Sequence, residues 1–296
     1  MKVLTIGSMN IDYVYSVDHI VQPGETQTTG GMNVFLGGKG INQSMALAKA
    51  GADVYHCGFI GPDGEMFLDA CKEYGVNSDY IRKIEEKTGH TIIQVDKNAQ
   101  NCILLYGGAN QCLTEEFVDE VIGNFEKGDI LLLQNEVNLL PYIIDKAYEK
   151  GMTIALNPSP FNDKLMECDM SKIGIFLLNE VEGEQVTGEK APDAILDKLQ
   201  QLYPEAQIVL TLGKDGAVYA HKGERYAQPI FKVQAVDTTA AGDTFTGYFL
   251  AGIIDGMAIP DVLKMSAKAS SIAVTRHGAV QSIPFRKEVE EELEIK

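Results

Sequence analysis

Three residues in the C-terminal part of the chain, Ala241-Gly242-Asp243, have the types and order that a phosphoryl-transfer site needs. Apolar residues follow Asp243 at helical spacing, which predicts that a helix begins here. The first N–H groups of a helix have no internal partner and bind anions, and glycine allows close approach to the backbone. We therefore expect Ala241 and Gly242 to form an anion hole, and Asp243 to take a proton from a hydroxyl beside it. The alternative is that Asp243 only caps the helix.

A second glycine-rich stretch, Gly-Gly-Lys-Gly at residues 37–40, precedes a predicted helix over residues 41–50. It is not a P-loop, because Asn33 stands where that motif has its first glycine and Gly40 where it has Ser or Thr. The glycines instead predict a tight turn that lets a ligand approach the backbone. Asn42 lies in the first turn of the helix and can reach the same ligand. A purely structural strand-to-helix turn is the alternative.

Two polar residues follow the first predicted strand, residues 2–6. Asn10 and Asp12 alternate with apolar residues and therefore share one face at strand spacing. That face is either exposed to solvent or directed at a ligand with many hydroxyl groups, which an amide and a carboxylate can bind. Residues 13–36 and 91–106 are rich in β-forming residues and are interrupted by turn sequences, so we expect hairpins there.

Strands and helices alternate along the rest of the chain, which predicts a parallel α/β sheet covered on both faces. Polar groups fall directly after several predicted strands, as in Gln134-Asn135-Glu136. In an open parallel sheet, ligands bind at that edge. We expect a single domain over residues 1–296, with only the acidic tail after Arg286 freely solvated.

The composition limits the partners of the chain. Its 296 residues carry a formal net charge of −17, so nucleic acid and anionic membranes are not expected to bind it. The first residues are too short an apolar run for a signal peptide, and no later segment approaches the length of a membrane span. The five cysteines include no Cys-x-x-Cys pair. These features predict a cytoplasmic protein with reduced thiols.

The stretch from Asp237 to Phe245 resembles the C-terminal signature of the ribokinase family of sugar kinases, and Gly-Gly-Lys-Gly-Ile-Asn-Gln at residues 37–43 resembles its N-terminal signature. Matching stretches run almost from end to end. The resemblance implies a ribokinase-like three-layer α/β/α sandwich with a mostly parallel central sheet and a small β-sheet lid. It also implies ATP-dependent phosphorylation of ribose to ribose 5-phosphate, with Mg²⁺ and K⁺ as cofactors.

The same resemblance implies the binding residues. The sugar site comprises Asn10, Asp12, Gly38, Lys39, Asn42, Glu136 and Asp243. The nucleotide site comprises Asn179, Thr211, Gly213, Gly216 and Gly242, with Glu182 binding Mg²⁺ through water. The monovalent-cation site comprises Asp237, Thr239, Ala273, Arg276, Gly278 and Ser282. Two positions depart from the family pattern: His90 replaces a small apolar lid residue that shapes the sugar pocket, and Gln281 replaces a proline.

The lid is implied at residues 14–36 and 89–107. Two isolated ribbons are marginal on their own, so we expect the lids of two subunits to pair in a homodimer. Three alternatives to a ribose kinase stay open: a kinase of the same family for another sugar, a kinase of the same family for a nucleoside, and a non-catalytic sugar-binding protein on the same fold. An oxidoreductase is disfavoured, because no Gly-x-Gly-x-x-Gly follows the first strand.

Overall fold

The structure is a computed structural model that describes residues 1–98 and 100–294. Ala99 of the predicted lid, and Ile295 and Lys296 of the predicted domain, lie outside the described residues. The strands are β1 (Val3–Ile6), β2 (Asn10–Ser16), β3 (Gly31–Gly37), β4 (Val54–Ile60), β5 (Asn77–Lys83), β6 (Gly89–Val95), β7 (Asn101–Tyr106), β8 (Ile130–Gln134), β9 (Thr153–Asn157), β10 (Ile175–Asn179), β11 (Gln207–Thr211), β12 (Ala217–His221) and β13 (Glu224–Gln228). The helices are α1 (Lys39–Lys49), α2 (Glu65–Tyr74), α3 (Glu115–Gly123), α4 (Leu140–Lys150), α5 (Glu180–Thr187), α6 (Pro192–Leu202), α7 (Ala241–Ile254), α8 (Ile259–Ala273) and α9 (Arg286–Glu292).

Nine of the described strands form the central sheet, in the order β13-β12-β11-β10-β9-β8-β1-β4-β5. The strands from β11 to β5 in this order run parallel to one another, whereas β12 and β13 at one edge are antiparallel. The parallel arrangement places the carboxyl ends of β1, β8, β9, β10 and β11 along one edge. Residues that follow those strands are therefore brought into one crevice.

The apolar run of β8 shows why this sheet is covered on both faces. Ile130 and Leu132 pack into one hydrophobic cluster, and Leu131 and Leu133 pack into a second one on the opposite face. The first cluster includes side chains from α1, α2, α7, α8 and α9, and the second includes side chains from α3, α4 and α6. Burial on both faces requires a nearly continuous apolar strand rather than an alternating one. The predicted three-layer α/β/α sandwich is confirmed.

Four other strands form a separate small sheet in the order β3-β2-β6-β7, in which β2 and β6 are parallel. In the β2–β6 register, Asp12 is opposite Thr91. Adjacent residues on a strand point to opposite faces, so His90 lies on the other face of this sheet from Asp12 and Thr91. That this sheet acts as a lid stays a prediction.

The expectation of a solvated tail after Arg286 is wrong for the described residues. Residues Arg286–Glu292 form α9, in which Val289 is fully buried. Arg286 makes ion pairs with Asp255 and with Glu290. The high charge of this segment suggested full exposure to solvent, because the sequence shows neither the burial of Val289 nor the ion pairs of Arg286. None of the helices in the described part of the chain is long and apolar enough to cross a bilayer.

Candidate active site

A cavity of about 230 Å³ opens at the carboxyl edge of the central sheet. Its wall is formed by residues at the carboxyl ends of β9, β10 and β11, by the start of α5, by residues before and within the start of α7, and by the first residue of α1. This is the location that an open parallel sheet predicts for a ligand. The polar residues of the wall are Lys39, Asn157, Asn179, Glu182, Thr211, Thr238, Asp243 and Thr246.

Asp243 lies in the first turn of α7 and is held by the side chains of α1. Its Oδ2 accepts a hydrogen bond from Nδ2 of Asn42 at 3.0 Å, and its Oδ1 accepts one from Nε2 of Gln43 at 2.8 Å. The two helices approach closely at Gly247, where an added Cβ would lie 2.4 Å from the Cβ of Ala46. The packing of α1 against α7 therefore joins the N-terminal and C-terminal motifs at one carboxylate.

The start of α7 offers backbone N–H groups to the cavity. Among the described residues, the N–H groups of Gly242 and Asp243 have no hydrogen-bond acceptor, whereas that of Ala241 donates to the carbonyl oxygen of Thr238 at 3.3 Å. A Cβ on Gly242 would meet nothing within 4 Å, so the space in front of it is open. In the described part of the chain, the free N–H groups at this helix start are those of Gly242 and Asp243, and the anion hole expected at Ala241 and Gly242 stays a prediction.

Asp12 lies on β2 of the small sheet. The hydroxyl of Thr91 donates to Oδ1 of Asp12 at 2.6 Å. A Cβ on Gly37 would lie 1.9 Å from Oδ2 of Asp12, so the absence of a side chain there makes room for the carboxyl group. Burial raises the pKa of Asp12 to about 6; the hydrogen bond from Thr91 opposes this shift, and the charge of Glu136 adds to it.

The predicted partner of Asp12 on the same strand is Asn10, which is buried. Its Oδ1 accepts a hydrogen bond from Nδ2 of Asn110 at 2.8 Å, and Asn110 is itself held by the backbone of Met9. A Cβ on Gly89 would lie 2.1 Å from Nδ2 of Asn110, so glycine is needed for this contact. Asn110 therefore fixes which way the amide of Asn10 points.

Glu136, a predicted sugar-site residue, lies two residues after the end of β8. Its Oε2 accepts hydrogen bonds from the hydroxyl of Ser8 and from the backbone N–H of Lys39, the latter at 3.0 Å. Burial raises the pKa of Glu136, against the opposing effects of Lys39 and Ser8. Gly38, with φ of 98°, forms the turn that presents this N–H, and a Cβ there would lie 2.9 Å from backbone atoms of Ser8 and Asn10.

Lys39 supplies the positive charge of the cavity. Burial disfavours its ammonium form, but the carboxylates of Asp243, Glu136 and Glu182 outweigh burial and raise the pKa of Lys39 above its ordinary value. The lysine therefore keeps its positive charge in the wall of the cavity.

Two residues of the predicted nucleotide and Mg²⁺ sites, Asn179 and Glu182, lie at the start of α5. Asn179 and Glu182 form a capping box: Oδ1 of Asn179 accepts the Glu182 N–H at 3.0 Å, and Oε2 of Glu182 accepts the Asn179 N–H at 3.0 Å. Both side chains also line the cavity, as does Thr211. Gly213 and Gly216 are absent from the wall as described, and Gly216 instead forms a tight turn with φ of 102°. The nucleotide-binding roles of these glycines stay predictions.

Asp237 links the two loops of the predicted cation site. Its Oδ1 accepts the Thr239 N–H at 2.9 Å and its Oδ2 accepts the Gly278 N–H at 3.0 Å. Burial opposes the charge of Asp237, but hydrogen bonds from these two residues and the nearby His277 lower its pKa.

The other predicted cation ligands lie at the end of α8 and beyond it. The guanidinium of Arg276 is directed at the carbonyl oxygen of Ser282, at 3.5 Å, and at Glu288. The N–H of Arg276 donates to the carbonyl oxygen of Ala273. Within residues 1–98 and 100–294, no group of three or more His, Cys, Asp or Glu side chains could hold a metal ion. A cation here would therefore depend largely on backbone oxygen atoms.

Several contributors to the site were not predicted from the sequence. They are Ser8, Gln43, Thr91, Asn110 and Gln134; the first four each bond a predicted residue, and Gln134 bonds Gln43. Gln43 lies inside the N-terminal motif, directly after Asn42, so its position in the sequence could have indicated a role in the site. The others depend on contacts between distant parts of the chain.

Comparison with known proteins identifies the family. The profile of the pfkB family carbohydrate kinases matches residues 1–286. Ribokinase of Haemophilus influenzae is 36% identical over 306 residues, which cover 99% of this chain and 99% of that protein. The crystal structure of ribokinase from Thermotoga maritima has a TM-score of 0.88 at 33% identity, over 99% of both chains. Arabidopsis thaliana ribokinase complexed with ribose and ATP has a TM-score of 0.87 at 28% identity, over 100% of this chain and 99% of that one. These matches confirm the predicted resemblance, and the chain belongs to the pfkB family of carbohydrate kinases.

Proposed function

We propose that the protein transfers the terminal phosphoryl group of ATP to the 5-hydroxyl of ribose, which gives ribose 5-phosphate and ADP. The observation that carries the proposal is the position of Asp243. Its carboxylate lies beside Asn42 of the predicted sugar site, and its own N–H and that of Gly242 open into the cavity. The relatives named as ribokinases, one of them solved with ribose and ATP, support the choice of substrates.

The predicted sugar site offers several oxygen atoms that can accept hydrogen bonds from hydroxyl groups. Asp12 and Glu136 each provide a carboxylate. Oδ1 of Asn42 is buried and has no hydrogen-bond partner among the described residues. A buried acceptor without a partner is costly, so a substrate hydroxyl that donates to it would bind favourably. A polyhydroxyl ligand suits this set of acceptors better than an apolar one.

In the proposed reaction, a carboxylate oxygen of Asp243 accepts the proton of the sugar hydroxyl, and the hydroxyl oxygen attacks the terminal phosphorus of ATP. The bond from that phosphorus to the bridging oxygen breaks, and ADP leaves. The N–H groups of Gly242 and Asp243 and the ammonium of Lys39 stabilise the negative charge that moves in this step. Positioning and electrostatic stabilisation account for most of the catalysis of phosphoryl transfer.

We include Mg²⁺ and K⁺ in the proposal. Glu182 and Asn179 line the cavity, and their oxygen atoms suit a water-bridged Mg²⁺, which neutralises phosphate charge when bound. A K⁺ site at Asp237, Thr239, Ala273, Arg276, Gly278 and Ser282 would order the loop that leads into α7. The carboxylate of Asp237 already holds both loops of that site together.

We also propose a homodimer formed through the small sheet. By strand register, the exposed side chains of Met32, Val34, Ile92, Leu104 and Tyr106 share the face opposite Asp12, whereas the exposed Ile103 and Leu105 lie on the face of Asp12. Exposed apolar residues that share one face mark an interaction site, and a second copy of the same sheet would cover them. The cytoplasmic location stays a prediction.

A coupled assay of ADP release, run across a panel of pentoses, hexoses, sugar phosphates and nucleosides, tests the proposed activity. We expect ribose with ATP and Mg²⁺ to give the highest kcat/KM. A tenfold preference for a nucleoside or a phosphorylated sugar, equal to about 1.4 kcal/mol of transition-state binding, would assign the chain to another kinase. Sugar binding without ADP release would indicate a non-catalytic protein.

A further inference from the structure

A chain of two glutamine amides, buried behind the cavity, ends on Asp243. Gln134, the last residue of β8, donates through Nε2 to Oε1 of Gln43 at 2.6 Å. Gln43, in α1, donates through Nε2 to Oδ1 of Asp243 at 2.8 Å. Both glutamines are 0% exposed, and neither belongs to the cavity wall as described. Any effect of these amides on the reaction must therefore pass through Asp243.

The direction of this chain is fixed by the chemistry of the amide group. An amide has one donor end and one acceptor end. If the amide of Gln43 were reversed, its oxygen would face the carboxylate of Asp243 and its NH₂ group would face the NH₂ group of Gln134. Both contacts would be repulsive. The carboxylate of Asp243, which only accepts, therefore sets the direction of the Gln43 amide, and Gln134 holds that amide from its other end.

The amide of Gln134 keeps its direction at a cost. Its Oε1 is buried and has no hydrogen-bond partner among the described residues, which is unfavourable for folding. The oxygen packs against Gly7, where an added Cβ would lie 2.5 Å from it. The amide of Gln134 is therefore held between Gly7 and the oxygen of Gln43.

We propose that Gln43 and Gln134 are positioning residues that hold the carboxylate of Asp243 in the orientation in which it accepts the proton of the substrate. Asn42 fixes Oδ2 and Gln43 fixes Oδ1, so the carboxylate cannot rotate about the Cβ–Cγ bond of Asp243. Its remaining lone pairs are then presented in one arrangement. This inference rests on the proposed role of Asp243 as the base.

Four charged groups share this environment and are left unchanged by substitutions in the amide chain. Asp243 and Lys39 lie on α7 and α1, Glu136 follows β8, and Glu182 lies on α5. A change in pH dependence that follows substitution of Gln43 or Gln134 therefore reports the loss of the amide donor rather than the loss of a charge.

The kinetic test compares Gln43→Leu and Gln134→Leu with Ser44→Ala. Ser44 is a matched control, because it is fully buried in the same helix and its hydroxyl contacts His56 rather than Asp243. Loss of one hydrogen bond to a charged group predicts a fall in kcat of about 10- to 100-fold for Gln43→Leu. We expect a smaller fall for Gln134→Leu, a shift of the acidic limb of the pH–rate profile to higher pH in both, and little change in the KM of either substrate. Wild-type kcat and pH profile in both variants would overturn the proposal, as would a loss confined to the sugar KM.

A second measurement tests the amide chain without relying on catalysis. In protein labelled with ¹⁵N at glutamine side chains, the Gln43 resonance is identified by its disappearance in Gln43→Leu. We expect its NH₂ protons to be protected from exchange in the wild type, and to lose protection in Gln134→Leu and in Asp243→Leu. Protection that is unchanged in both variants would contradict the chain. If no substrate of the panel were phosphorylated, the proposed function would fail, while this measurement would still decide whether the amides hold Asp243.

Discussion

The side-chain amide of Asn42 donates a hydrogen bond to the carboxylate of Asp243 at 3.0 Å, although the two residues are 201 positions apart in the chain. Asn42 belongs to the N-terminal motif at residues 37–43, and Asp243 belongs to the C-terminal motif at residues 237–245. Taken separately, each motif had a structural explanation, as a strand-to-helix turn or as a helix cap. Their contact favours the functional explanation of both, because one carboxylate now serves the predicted sugar site and the open end of α7 together.

The contact between Gly37 and Asp12 gives the first prediction. A Cβ at residue 37 would lie 1.9 Å from the carboxyl group of Asp12, whereas a Cβ at Gly31, on the same strand, would meet nothing within 4 Å. We expect Gly37→Ala to displace Asp12 and to raise the KM for the sugar by about tenfold or more, the loss of one good hydrogen bond. Gly31→Ala is the matched control and should leave the KM unchanged. Equal KM values in the two variants would show that Asp12 does not bind the sugar.

The second prediction concerns the protonation of Asp12. Burial raises its pKa from 3.8 to about 6, so the folded protein binds more protons than the unfolded chain between these pH values. The contribution of this group to stability is therefore present below pH 3.8 and is lost as the pH rises through 6. A protonated carboxyl group is a poorer acceptor for sugar hydroxyls, so the sugar KM should rise as the pH falls below 6.

Measurements of the sugar KM and of the free energy of unfolding from pH 4 to pH 8 check both statements. Asp12→Asn cannot titrate, so its KM should be high at every pH and the pH-dependent stability term should disappear. A wild-type KM that stays flat across pH 6 would contradict the assignment of Asp12 to the sugar site.

The order of strands and helices could be predicted because the signals are local. Apolar runs such as that of β8 and the proline near the start of α4 mark elements by themselves. The antiparallel strands β12 and β13 and the helix α9 did not stand out in the sequence. The burial of Val289 in α9, for example, depends on packing against the first hydrophobic cluster rather than on a repeating pattern.

Within the site, the sequence indicated residues that carry chemical groups but not those that orient them. Thr91, Asn110 and Gln134 have no spacing relative to Asp12, Asn10 or Asp243 that a motif could reveal, because folding alone brings them together. The assignment of His90 to the sugar pocket fails for a similar reason. The register of β2 and β6 places Thr91 on the face of Asp12, and His90 lies against Tyr13 and Tyr106 on the other face.

The third prediction concerns the monovalent cation. K⁺ should raise kcat above the value in Na⁺ at equal ionic strength, because an oxygen-lined site at Asp237 would order the loop that leads into α7. Asp237→Asn keeps the size of the side chain but removes its charge and one of the two acceptors used by Thr239 and Gly278. We expect the stimulation by K⁺ to be lost in this variant. Equal rates of the wild type in the two salts would remove the K⁺ site from the proposal.

The fourth prediction tests the homodimer. Leu104, on β7, is 64% exposed, and Met166, outside the small sheet, is 74% exposed. Leu104→Asp should bury a charge in the proposed interface and convert a dimer into a monomer in small-angle scattering, whereas Met166→Asp should leave the mass unchanged. A wild-type protein that scatters as a monomer would show that the apolar face of the small sheet is not a dimer interface.

The last prediction concerns Asp243 itself. Asp243→Asn keeps the size of the side chain but removes the proton acceptor, and its NH₂ group would face one of the two amide donors, Asn42 or Gln43. If Asp243 is the base, kcat should fall by about 10²- to 10⁴-fold, the usual contribution of acid–base catalysis. The binding of sugar and ATP should change much less, because the other sugar-site residues and the N–H groups remain. The thermal midpoint should fall modestly, because one buried acceptor of Asn42 or Gln43 is lost, but the fold should be retained.

Asp261→Asn is the matched control, because Asp261 lies in the first turn of α8 and is exposed. A helix-capping role alone predicts the same pattern for both variants: near-normal turnover with at most a small loss of stability. Measuring kcat and the thermal midpoint on one preparation of each separates the two explanations. An active Asp243→Asn enzyme would require another base and would remove Asp243 from the proposed mechanism.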